Sequence, residues 1–200
     1  MPPKYKYEIK DILDAAFKIL RKKGMESLTA RAIANELKTS TAPIYSQIKS
    51  MRKLKEALIE RLWELYFDYM TRPTTGDFVL DHSIGYVLFA LREKHLFRCF
   101  YDEGFTKLHQ NYVEIYEKRL YELFADHPLY KSIPDQDRES IMLKALSSLH
   151  GFADLLNHSP RKEFIELRKD EKKIIEYLTK DYQQTLFIVE AVKAYIKANS

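Results

Sequence analysis

The sequence predicts an all-α protein in two parts: a three-helix unit over residues 1–55 and a larger helical body over residues 56–200, with about nine helices in all. Three observations carry this expectation. Apolar residues recur at three- and four-residue spacing through long runs rich in Leu, Ile, Ala, Lys and Glu, and no segment alternates with a period of two between turn residues. Only five glycines and seven prolines punctuate 200 residues, so the runs between breaks are long enough for helices. Charge is unevenly divided: residues 1–55 carry 13 Lys/Arg against 5 Asp/Glu, whereas residues 56–200 carry 20 against 24. A basic block joined to a mildly acidic one suggests that one end meets a polyanion, a solvated basic face being the plainer alternative.

The first helix is expected to start near Tyr7 and end by Lys23, with Ile9, Ile12, Leu13, Ala16, Ile19 and Leu20 forming one apolar stripe. Lys22 and Lys23 put positive charge in its last turn, where the helix dipole favours it, and Gly24 is suited to stop it. Thr29 is a good N-cap for a second helix that buries Ala32, Ile33 and Leu37. After the short turn Lys38-Thr39, Ser40 is expected to cap a third helix running from about Thr41 to Ile48. Pro43 falls in its first turn, where a missing N–H costs nothing. With Ile44 and Ile48 inward, Thr41, Ala42, Pro43, Tyr45, Ser46 and Gln47 face wholly or partly outward. A supporting helix followed by two short helices around a tight turn is a helix-turn-helix. The small side chains at the start of the third helix would let it approach the floor of a major groove. An ordinary three-helix packing unit would not need an uncharged outer face in basic surroundings.

At these residues the chain resembles the TetR/AcrR family of transcriptional regulators. The resemblance runs through Ile12-Leu13-Asp14-Ala15-Ala16-Phe17, Lys23-Gly24 and Leu28-Thr29-Ala30-Arg31-Ala32-Ile33-Ala34. It continues from Ser40-Thr41-Ala42-Pro43-Ile44-Tyr45-Ser46-Gln47-Ile48-Lys49-Ser50 to Leu54. It implies that Thr29 bonds a phosphate, that Arg31 contacts the DNA backbone, and that Tyr45 reaches a phosphate through its hydroxyl. Ser40, Thr41, Ala42, Pro43, Ser46 and Gln47 would then face bases or nearby backbone. Gln47 can bridge adenine N6 and N7 or hold a phosphate. Two positions depart from the family pattern. Lys38 stands where the family has Gly in the turn, adding a cation near DNA, and Met51 stands where the family favours Lys. Lys49, Arg52 and Lys53 are the candidates to replace that phosphate contact.

A long fourth helix is expected from Ser50 through Leu54, Leu58, Leu62, Leu65 and Tyr69 to the break Arg72-Pro73-Thr74-Thr75-Gly76. The resemblance implies that this helix joins the reading head to a ligand-binding body. Further helices are expected at about 77–93, 95–103, 105–126, 135–157 and 170–198, with breaks at His127-Pro128, Ile133-Pro134 and Ser159-Pro160-Arg161. The last two carry broad apolar faces, and the resemblance implies that they pair with their two-fold mates as a four-helix bundle. A homodimer interface is therefore expected at Ile141, Ala145, Ser148, Leu149, Phe152, Leu178, Tyr182, Leu186 and Val189, an intramolecular core being the alternative. Tyr86, Phe89, Phe97, Phe100, Tyr101, Phe105, Tyr112 and Tyr116, with Phe152 and His150, are candidates to line a pocket for an apolar or aromatic effector, against ordinary core packing.

No phosphate-cradling Gly motif, Cys-x-x-Cys, His-Glu-x-x-His or Gly-x-Ser-x-Gly occurs, so neither an enzyme nor a cofactor is expected. His95, Glu103 and His109 match no metal-ligand spacing. The one cysteine, Cys99, permits no intramolecular disulfide. The N-terminus lacks an apolar signal-peptide region, and no apolar run reaches the ~18–20 residues needed to span a bilayer. The expectation is a cytoplasmic regulator that binds an operator in double-stranded DNA as a homodimer, represses there, and is released by a small effector, with no membrane partner. A helical adaptor for a protein partner is the competing reading; it would account for the body but not for the basic helix-turn-helix.

Overall fold

The computed structural model describes residues 7–101, 103–131 and 133–183, and among these every regular element is helical. The order is α1 (Ile9–Lys23), a 3-10 turn (Met25–Ser27), α2 (Ala30–Glu36), α3 (Ala42–Gln47), α4 (Met51–Met70), α5 (Phe78–Arg92) and α6 (Lys94–Cys99). It continues with α7 (Glu103–Phe124), α8 (Pro128–Lys131), α9 (Asp135–His158) and α10 (Lys162–Leu167). Residues 171–183 form a further helix, α11. Two of these were not anticipated: α8, which starts on the proline read as a break, and α10, which follows the Pro160-Arg161 break. Leu186 and Val189 lie outside the described residues, as does the side chain of Phe105.

The chain forms two compact units. The first draws on Met1–Asp68 and Arg92–Glu122, the second on Tyr69–Leu91 and Leu123–Ser200. In the first unit, α1 begins at Glu8, whose amide donates to the Asp11 carboxylate at 2.8 Å, satisfying one of the donors a helix start leaves open. Of the predicted stripe of α1, Ile12, Ala16, Ile19 and Leu20 are buried, Leu13 is half-buried, and Ile9, in the first turn, is exposed; Ile12, Ala16 and Leu20 have no exposure, and neither do Ile33 of α2 and Ile44 of α3. Each of the large apolar side chains among them contributes about 1.5–3 kcal/mol on burial. Gly24 ends α1 at φ +79°, donating its N–H to the Leu20 carbonyl at 2.9 Å. Ser50 caps α4 by accepting the Lys53 amide at 3.2 Å. Further along α4, Trp63 stacks on Tyr116 of α7 with centroids 4.9 Å apart and meets Phe100 edge-on at 4.8 Å.

In the second unit, Ile84, Val87, Phe89 and Ala90 of α5, Leu156 of α9 and Ile174 of α11 are buried, all at most 1% exposed. The Asn157 side-chain amide donates to the Ala90 carbonyl at 3.1 Å. The loop before α5 is held by Asp81, which accepts the Thr75 amide and hydroxyl, both at 2.7 Å, and the Gly76 amide at 3.2 Å. Burial pushes the Asp81 carboxyl up, but the hydrogen bonds from Thr75 and its neighbours outweigh that and leave it below the ordinary value. Among the described residues no helix is long and apolar enough to cross a membrane, and no group of His, Cys, Asp and Glu is placed to hold a metal.

Candidate nucleic-acid interface

The interface is built on the ends of α2 and α3. Thr29 is the N-cap of α2, its Oγ1 accepting the Ala32 amide at 3.1 Å. That bond uses an acceptor lone pair and leaves the hydroxyl proton to donate outward. Arg31 follows on the exposed side of the first turn, while Ala30, Ile33 and Ala34 are buried.

α2 ends in a Schellman motif. The Thr39 amide donates to the Ala34 carbonyl at 2.9 Å and the Lys38 amide to the Asn35 carbonyl at 3.2 Å. This motif requires a left-handed residue at its centre, and Lys38 supplies it at φ +53°, alone among the described non-glycine residues. The turn is thus made with a lysine in the strained position, where glycine would carry no such strain.

α3 begins one residue later than expected. Its N-cap is Thr41 rather than Ser40, and Thr41 already has helical angles (φ −75°, ψ −17°), so its hydroxyl makes no cap bond. Pro43 lies in the first turn as the sequence indicated, and Ile44 and Ile48 face inward. Ser40, Thr41, Ala42, Tyr45 and Ser46 are exposed, with Pro43 and Gln47 half-buried. Tyr45 is 59% exposed, which leaves its ring and hydroxyl open to a partner molecule. The Ser46 hydroxyl donates to the Pro43 carbonyl at 2.9 Å, so it offers a partner its acceptor lone pairs. Gln47 lines a shallow depression with Tyr7, Glu8, Ile9 and Lys10 at the start of α1.

The cations around this face divide into two sets. Among the described residues Arg31, Lys38 and Lys49 have no carboxylate partner, and all three are exposed. Arg52 and Lys53 both bond Glu56, at 3.1 and 2.8 Å, and the bonds from Lys53 and Arg52 hold the Glu56 carboxyl below its ordinary value. Of the three candidates to replace the cation missing at Met51, Lys49 is therefore the one with its charge uncommitted.

The residues proposed for an effector pocket fall into two groups. In the first unit, Phe100 and Tyr116 pack on Trp63, the Tyr116 hydroxyl donates to Glu64 at 2.7 Å, and Tyr112 is half-buried. Phe97 meets the exposed Tyr101 edge-on. In the second unit, Phe89 is buried against Tyr69, the buried Tyr86 shares a 3.0 Å hydrogen bond with His150, and Phe152 stacks on Tyr177 at 4.9 Å.

Of the residues expected at a dimer interface, Ile141, Ala145 and Ser148 are exposed, and Leu149, Phe152 and Tyr182 are half-buried. Leu178 is buried, and the Tyr182 hydroxyl donates to Asp77 at 3.1 Å. α9 also exposes Leu143, Leu146 and Leu155. Tyr7, which bonds the turn of the reading unit, was missed in the sequence; its partner is 30 residues away and no local pattern marks it.

Residues 12–58 match the sequence model of the family described as bacterial regulatory proteins, tetR family. Among solved structures the chain is similar to a TetR-like transcriptional regulator from Rhodococcus sp. RHA1, with a TM-score of 0.58 and 20% identity over 84% of this chain and 90% of that one. At that identity the likeness concerns the fold. No curated protein sequence matches.

Proposed function

We propose that this chain, which over residues 12–58 matches the tetR family model, is a DNA-binding transcriptional regulator that binds a two-fold symmetric operator as a homodimer and is released from it by a small apolar or aromatic molecule. The observation that carries the DNA half of this reading is the composition of the α3 face. Uncharged, hydrogen-bonding side chains (Thr41, Tyr45, Ser46) are exposed there, flanked by the uncommitted cations Arg31, Lys38 and Lys49. Cations hold phosphates without regard to sequence, while hydroxyls and amides can read base edges. Thr29 and Tyr45 complete the phosphate set, and Gln47 with Thr41 and Ser46 forms the reading set.

Dimerisation is supported by α9, which exposes Ile141, Ala145 and Ser148 along one side, an apolar and small-residue face free to meet a mate. The effector half is supported by the aromatic groups around Trp63 and around Tyr86, each combining ring surface with a polar group, Glu64 or His150. The residues that meet a mate or an effector are proposals on this reading, as are the division at residues 55/56, cytoplasmic location, repression as the outcome, and the absence of catalysis.

Selection of bound sequences from a random duplex pool tests it. The expected result is an inverted repeat whose half-site centres lie about 34–36 Å apart, or a multiple of that spacing. A consensus without two-fold symmetry would contradict the dimeric mode of reading.

A further inference from the structure

We infer that Tyr7 is a positioning residue for the recognition helix, its hydroxyl locking the left-handed turn that aims α3. The inference rests on the reading of α3 as the DNA-contacting element. The Tyr7 hydroxyl donates to the carbonyl of Leu37 at 2.5 Å, across 30 residues. Leu37 is the C-cap of α2, and its carbonyl belongs to the peptide unit whose nitrogen is that of Lys38. The orientation of that peptide plane is what φ of Lys38 measures, and it stands at +53°. For a residue with a Cβ this region is disfavoured by roughly 1–2 kcal/mol relative to ordinary helical angles. Relief of the strain has two routes. Either the chain after Lys38 swings, which redirects α3, or the Leu37–Lys38 peptide swings, which pulls the carbonyl away from Tyr7. The hydroxyl blocks the second route, and burial of Ile44 and Ile48 opposes the first.

Tyr7 also shares a shallow depression with the last residue of α3, its lining being Tyr7, Glu8, Ile9, Lys10 and Gln47. A single residue ahead of α1 thus bonds the turn that precedes α3 and borders the same depression as the last residue of α3. A glycine at position 38 would hold the turn unaided; a lysine there makes the clamp necessary. Tyr7 acts through α3 and carries no charge to a phosphate, so its loss should blunt discrimination between sequences rather than affinity for DNA in general.

The test uses four full-length proteins: wild type, Tyr7→Phe, Lys38→Gly and the double variant. Each is titrated with a duplex selected by the wild type and with a scrambled duplex of equal length. Tyr7→Phe is expected to bind the selected duplex about fivefold more weakly, the worth of one net hydrogen bond, with the scrambled duplex unaffected. In the Lys38→Gly background the same change is expected to cost less than about twofold, because the turn no longer needs the clamp. Equal cost in both backgrounds, or no cost in either, would overturn the inference. Amide hydrogen exchange at Lys38 and Thr39 supplies a readout independent of DNA, expected to be about fivefold faster in Tyr7→Phe. If the wild type prefers no duplex, the DNA reading itself has failed, and exchange alone decides: faster exchange upholds the clamp and unchanged exchange overturns it.

Discussion

Arg21 of α1 grips the carboxylate of Glu93, the N-cap of α6, through two hydrogen bonds: Nε to Oε2 at 2.6 Å, and a second from the guanidinium to Oε1. Glu93 is 2% exposed while the Arg21 side chain is about half exposed, so a buried anion depends on a cation supplied from the surface. The pair spans 72 residues and joins the first helix of the reading unit to α6. Removing the guanidinium by Arg21→Ala should lower the unfolding free energy by about 2–3 kcal/mol, less than the ~3–5 of a fully buried pair because Arg21 is partly solvated. Urea denaturation measures it, and a loss under about 0.5 kcal/mol would show that the pair contributes little.

Tyr45 and Gln47 should separate affinity from specificity. Tyr45→Phe removes an exposed hydroxyl assigned to a phosphate, so it should weaken binding to all duplexes alike. Gln47→Ala should instead change the preferred base at one position of each half-site, at about 1–3 kcal/mol of discrimination. Parallel selections with wild type and Gln47→Ala that return one consensus would remove Gln47 from the reading set.

Gly85 lets α5 lie against the end of α4. A Cβ built there would fall on the Tyr69 carbonyl and against the Met70 backbone, neither of which can turn aside as a flexible side chain would. Gly85→Ala should therefore destabilise the protein by about 1–3 kcal/mol or more, despite alanine's better helix propensity. The melting temperature reports it; an unchanged or raised value would mean that the two helices can separate at no cost.

His82 should make stability fall in mild acid. Its ring packs edge-on against Phe124 at 5.2 Å, and burial lowers its pKa from 6.5 to about 4. The folded protein thus favours the neutral ring. The stability this contributes is complete above about pH 6.5 and is lost as pH falls toward about 4, while the unfolded chain takes up the proton. Urea midpoints of wild type and His82→Gln should converge or cross over that interval, whereas parallel midpoints would place the acid sensitivity elsewhere.

The reading unit was legible in the sequence because its determinants are local. Stripe spacing, the Thr29 cap, Pro43 and the glycine after Lys23 each act within a turn of themselves, and α1 to α4 lie within a few residues of expectation. The short helices were not legible for the same reason. α8 has four residues, too few for a 3.6-residue period to repeat, and Pro128 reads as a break although proline is at home in the first position of a helix; α10, of six, directly follows the Pro160-Arg161 break and has no N-cap side chain to mark its start. Contacts between distant residues left no trace: Tyr7 with Leu37 and Arg21 with Glu93 depend on how α1 packs. The lysine in the turn was visible as a departure, but only the backbone shows that it adopts the left-handed angle itself.

Affinity for the selected duplex as a function of salt tests the central claim most directly. Anisotropy titrations from about 50 to 300 mM salt should give log K falling linearly with log salt, by about 0.9 for each phosphate neutralised. Lys49→Ala should reduce that slope by about one for each reading head bound. An affinity that does not change with salt, or one equal for selected and scrambled duplexes at every salt, would contradict the assignment of α3 and its flanking cations to operator DNA.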